Sequence, residues 1–139
     1  MRKVIVIKRD DGSCGIFYKD LKESKTLEEL QLRKDIVPDG CTSRITLESK
    51  LPDRTFRNAW TDDNPTDTVD VDMPKARIIH MDRLRIIRDE KLKELDIEQM
   101  KGVDVQAQKQ ALRDLPQNTD LSIATTPEEL KAIMPTELL

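Results

Sequence analysis

Residues 73–102 read as one long, heavily charged helix that carries two apolar stripes instead of one. At about 100° per residue, Met73, Ala76, Met81, Leu84, Ile87, Leu92 and Leu95 gather on one side. Nearly opposite stand Ile79, Ile86, Ile97 and Met100, with Ile79, Ile86, Lys93 and Met100 spaced by seven. A surface helix in a lone small domain needs one buried stripe. A second stripe asks for a second surface: another layer of the chain, a copy of it, or a partner. That pattern points to an assembly or interaction protein rather than an enzyme.

The 139 residues suit one domain with extended ends. Hydrophobic and charged residues each make up 37%, and the aromatics are only Phe17, Tyr18, Phe56 and Trp60. This is enough for a modest core but below the usual apolar share of a compact chain, so oligomerisation is expected to complete it. The net charge of −3 comes from interleaved signs, which leaves no field to draw in nucleic acid. In the long helix, Lys75, Arg77, Arg83, Arg85, Arg88, Lys91 and Lys93 alternate with Asp82, Asp89, Glu90 and Glu94, a salt-bridged solvated face. No apolar run approaches the roughly 18 residues of a membrane span. The start, Met1-Arg2-Lys3-Val4-Ile5-Val6-Ile7-Lys8, has too short an apolar core for a signal peptide and reads as a strand.

A hairpin is predicted first. Residues 3–7 form a β-branched run, Asp10-Asp11-Gly12-Ser13 carries the Asp-Gly turn signal, and Gly15-Ile16-Phe17-Tyr18 returns. Thr26-Leu27-Glu28-Glu29 has capping-box spacing, which predicts a helix over about 27–35, stopped by Pro38-Asp39-Gly40. Residues 42–47 then read as a third strand. The acidic stretch after Trp60, with five Asp, one Pro and three Thr, is a linker by composition. Pro74 fits a first helical turn, Asp70 and Asp72 favour its positive end, and Gly102 stops the helix. Asp104 is placed to cap a second helix over 105–114, closed by Pro116. Thr126-Pro127-Glu128-Glu129 opens a short last helix to about Met134.

The chemistry-bearing residues form no catalytic constellation. His80 sits on the main apolar face beside Leu84 and Ile87, and Asp82 points about 160° away from it on a straight helix. Cys14 and Cys41 lie far apart without a CxxC, and read as reduced, partly buried thiols. With one histidine, two separated cysteines and scattered glycines, neither a metal site nor a phosphate loop is expected. There remain Phe56 and Trp60, four apart and interleaved with Arg54 and Arg57. On a helical turn both rings would share a face, either as a plug between the N-terminal layer and the long helix or as an aromatic-arginine contact anchor.

Leu-Pro-Asp-Arg-Thr-Phe-Arg-Asn-Ala-Trp at 51–60, an acidic spacer and Met-Pro-Lys-Ala-Arg at 73–77 resemble small proteins encoded among the structural genes of tailed bacteriophages and prophages. Arg83-Leu84-Arg85-Ile86-Ile87-Arg88, Leu95-Asp96 and Gln110-Ala111-Leu112-Arg113-Asp114-Leu115-Pro116 are similar to the C-terminal helical segment of phage tail-fibre assembly chaperones. The likeness covers roughly residues 51–134. It departs after Asp96, where the chaperone segment commonly has Trp-Thr and this chain has Ile97-Glu98. What the resemblance implies is a non-enzymatic phage protein, a virion tail component or tail-fibre-associated factor. The alternatives are a dissociating tail-fibre assembly chaperone absent from the mature particle, or a small regulatory or nucleic-acid-binding phage protein.

The expectation is therefore an α+β chain: a small N-terminal hairpin/helix/strand layer, a long helix, and one or two shorter C-terminal helices. Residues 1–60 are read as the small domain, 61–73 as the acidic linker, and 74–139 as the helical region with its long helix at 74–101. The contact residues expected are Ile79, Ile86, Ile97, Met100, Phe56, Trp60 and Arg57. The expected partners are other phage structural proteins of the tail or tail fibre, or a second copy through the long helix, with no nucleic acid, membrane, metal or cofactor. The expected location is the virion, or the host cytoplasm during assembly.

Overall fold

The computed structural model describes residues 2–63 and 68–139 and is mixed α+β. The chain divides into two compact units, Met1–Asp72 and Met73–Leu139. In the first, β1 (Lys3–Lys8), β2 (Cys14–Phe17) and β3 (Thr42–Leu47) form an antiparallel sheet in the order β2-β1-β3. The hairpin turn is the one the sequence announces. Gly12 takes φ 83°, Arg9 and Ser13 are joined by a 2.9 Å backbone bond, and Asp11 Oδ1 accepts the Ser13 amide proton at 2.9 Å.

β1 is the centre of this unit. Neighbouring residues of a strand point to opposite faces, yet Val4, Ile5, Val6 and Ile7 are all buried. Both faces of the sheet are therefore covered. Val4 and Val6, together with Cys14 of β2, pack with Trp60 and Val69. Ile5 and Ile7 pack on the opposite side with Leu27 and Leu30 of α1 (Leu27–Gln31). The Thr26 hydroxyl accepts the Glu29 amide proton at the start of α1, as the capping signal predicts. The helix is shorter than the predicted 27–35. Beyond Gln31 the chain turns, and Arg33 forms a forked ion pair with Asp35, a spacing that cannot meet on a helix.

The acidic stretch after Trp60 does not behave as a bare linker. β4 (Trp60–Thr61) pairs with β5 (Asp70–Val71), so both ends of the stretch belong to the N-terminal unit. Asp62 grips Arg44 of β3 at 2.7 Å and Asp63 grips Lys8 of β1 at 2.5 Å. These carboxylates have cationic partners on the sheet, which composition alone could not reveal. Residues 64–67, the middle of the predicted linker, lie outside the described residues.

The second unit is built on α2 (Met73–Met100). It ends where predicted, through Gly102 at φ 91°. Val103 N–H donates to Glu98 O and Gly102 N–H donates to Gln99 O, the paired bonds of a left-handed helix stop. α3 (Gln106–Asn118) and α4 (Pro127–Lys131) follow, and each packs against α2. Asp104 accepts the Gln106 amide proton, although Val105 occupies the cap position. α3 runs four residues past the predicted end and includes Pro116 in its last turn, where the missing amide proton forfeits one i−4 bond and the Thr119 hydroxyl donates to Leu115 O at 2.7 Å. Thr126 caps α4 by accepting the Glu129 amide proton.

Cys14 and Cys41 are both free thiols, and they pack on opposite faces of the sheet, which rules out a bridge in this fold. Burial pushes the Cys14 thiol up from its ordinary range, with Asp62 adding to the effect and Arg57, Arg44 and Arg9 opposing it. Timed iodoacetamide labelling of the native chain at mildly alkaline pH, read by mass spectrometry, should modify half-buried Cys41 well before Cys14. Equal rates would contradict this placement of β2.

Candidate functional site

The two stripes of α2 have different fates. Ala76, His80 and Leu84 are buried, and Ile87, Leu92 and Leu95 are half-buried along the same side. The opposite stripe stays in solvent: Ile86 is 61% exposed, Ile97 54% and Met100 87%, with Ile79 half-buried. Ile78, outside both stripes, is 65% exposed. From Ile86 to Met100 the stripe spans about 21 Å at 1.5 Å per residue.

Polar ties fasten the inner side. Arg77 donates to Ala124 O at 2.8 Å, and His80 Nε2 lies 2.8 Å from Ile133 O, so the chain on either side of α4 is fastened to α2. A carbonyl oxygen only accepts, so Nε2 carries the hydrogen in that bond. His80, expected as a packed histidine on this face, is a structural tie. Lys109 of α3 is buried and reaches back to Asp96 and to Gln99 of α2. Leu112, Leu115, Leu121, Leu130 and Leu138 supply the apolar filling of this unit. Sequence reasoning missed Lys109, because a lysine in a charged helix gives no sign that it will face inward.

The seven-residue spacing of Ile79, Ile86, Lys93 and Met100 has a further consequence. Numbered as position a of a heptad, it puts Asp82, Asp89 and Asp96 at position d. Two copies joined in parallel through this seam would bring aspartates together at 82, 89 and 96, where coiled coils place leucine. The exposed stripe is thus poorly made for pairing with itself in that way.

Phe56, Arg57 and Trp60 lie in the N-terminal unit. Phe56 is 1% exposed and Trp60 2%, so neither ring offers a surface to a partner. Trp60 is part of the cover on Val4 and Val6 within its own unit. The two rings do not share a helical face either. Arg54–Ala59 is a 3-10 segment broken at Phe56 (φ −115°, ψ 42°), and Trp60 is already extended in β4. Arg57 lies over the Trp60 ring, 4.6 Å from its centre, and donates to Cys14 O at 2.9 Å.

Family models, curated proteins and solved structures yield no match to this chain. Among the described residues no helix is long and apolar enough to cross a membrane, and no three His, Cys, Asp or Glu side chains gather as a metal site would require. The feature that asks for explanation is the apolar stripe left in solvent.

The two stripes make a direct comparison. Leu84→Ala should cost about 2–5 kcal/mol of unfolding free energy, the range for a buried leucine. Ile86→Ala, half a turn away, should change stability by about 0.5 kcal/mol or less, as for an exposed side chain. Urea denaturation of both variants checks this. Similar losses at both positions would put Ile86 in the core.

Proposed function

We propose that this chain is a non-enzymatic bacteriophage protein that acts by protein–protein contact, as a virion tail component or tail-fibre-associated factor. The observation that carries the contact role is the solvent-exposed stripe Ile86, Ile97 and Met100 on a helix that buries Ala76, His80 and Leu84 on its other side. Burying two isoleucines and a methionine against another protein contributes about 1.5–3 kcal/mol each before association costs. The phage context rests on the resemblance of residues 51–60, 73–77 and 110–116 to tail-associated proteins. Aspartates at three successive d positions, 82, 89 and 96, favour a different protein over a second copy as the occupant of the stripe.

The enzyme reading finds little to work with. His80 commits Nε2 to Ile133 O, and the Cys14 thiol is buried with its pKa raised. The dissociating-chaperone reading draws on the 110–116 resemblance, and differs in one observable: a chaperone is absent from purified particles, whereas a tail component is recovered in them.

The contact role is tested by affinity capture from phage-producing cells with the wild-type chain and Ile86→Glu. Capture of tail or tail-fibre proteins should fall at least tenfold in the variant while its circular dichroism stays unchanged. Undiminished capture by Ile86→Glu would remove the stripe from the interface.

A further inference from the structure

The N-terminal unit holds a cleft of about 280 Å³ lined by Arg9, Ser13, Cys14, Arg57, Asn58 and Trp60. Its charged lining is entirely cationic, two guanidiniums, beside the uncharged polar side chains of Ser13 and Asn58. Among the described residues, neither Arg9 nor Arg57 is ion-paired with a carboxylate. The nearby Asp62 is already gripped by Arg44 through contacts of 2.7–3.1 Å. Trp60 Nε1 is buried and meets no acceptor among the described residues. A cleft whose two guanidiniums are free of carboxylates is the complement of an oxyanion.

The arginines are held in place rather than merely nearby. Arg57 is fixed from two sides, by its bond to Cys14 O and by the Trp60 ring beneath it. Arg9 lies across the backbone of Gly15, where a Cβ would come within 2.7 Å of Nη2, and donates to Ser13 Oγ at 3.3 Å. Each guanidinium carries five N–H donors, and these contacts leave most of them free. Forked guanidiniums match the paired oxygens of a carboxylate or a phosphate.

We propose that this cleft binds a single oxyanion group, either a phosphate or a carboxylate, between Arg9 and Arg57 and beside the Trp60 ring. The site belongs to the N-terminal unit alone, so it stands or fails separately from the contact role of α2.

Trp60 is the only tryptophan of the chain, so its fluorescence reports on the cleft directly. The full chain is titrated with sodium phosphate and, separately, with sodium acetate, each against sodium chloride of matched ionic strength. The expected result is a saturable change with at least one oxyanion, with a Kd of about 1 mM or tighter, and no such change with chloride. Saturation by phosphate alone names a phosphoryl ligand, and saturation by acetate names a carboxylate. Arg57→Gln and Arg9→Gln should each weaken binding at least tenfold, while Lys34→Gln should not. Arg57→Gln also removes the ring contact, so Arg9→Gln, at the exposed lip, is the deciding variant if Arg57→Gln misfolds. A response no different from chloride, or undiminished binding by folded Arg9→Gln, overturns the proposal.

Discussion

The constraint on which this molecule turns is that an apolar face must find a cover, and a chain of this length has few segments with which to make covers. β1 is apolar on both of its faces and receives two: α1 on one side, Trp60 and Val69 on the other. α2 is also apolar on two sides. The rest of its unit, α3, α4 and the turns that follow them, engages the side of Ala76, His80 and Leu84. No corresponding layer buries Ile86, Ile97 and Met100. The same physical demand is met within the chain in one unit and left open in the other, and that contrast is the basis for assigning a contact role to α2.

Polar interactions then decide which arrangement each cover adopts. In the N-terminal unit, Arg44–Asp62 and Lys8–Asp63 tie the β4–β5 hairpin to the sheet strands. In the C-terminal unit, Arg77, His80 and Lys109 reach from one segment to another and satisfy carbonyls or carboxylates there. The Lys109–Asp96 pair is half out of water, with Asp96 62% exposed, so its desolvation cost is smaller than that of a fully interior pair. Such ties add modest energy beside the apolar burial. Their larger effect is to fix register, because a slip by one residue would leave each of these groups without its partner.

Much of this was legible in the sequence, where local chemistry is strong. The Asp-Gly turn, the Thr26 and Thr126 caps and the Gly102 stop each depend on a few adjacent residues, and all occur. The two stripes of α2 followed from helical periodicity alone. The misreadings involve partners distant in sequence. Trp60 was expected on a helical face with Phe56, yet Asp53 caps a 3-10 turn that breaks at Phe56 and delivers Trp60 into a strand. The acidic stretch was expected as a linker because aspartates suit solvent, and nothing local announces that Arg44 and Lys8 await two of them. Arg9 and Arg57 carry no shared motif, since the cleft exists only once β2 brings Cys14 and Gly15 between them.

The central claim, that the outer stripe of α2 is completed by another protein, is tested most directly at Met100, which is 87% exposed. Peroxide oxidation followed by peptide mass spectrometry can be applied to the free chain and to the chain within its purified assembly. The account predicts that Met100 oxidises readily in the free chain and is strongly protected in the assembly, with the protection lost when the assembly is dissociated. Equal oxidation of Met100 in the two states, or protection already present in the free chain, would contradict it.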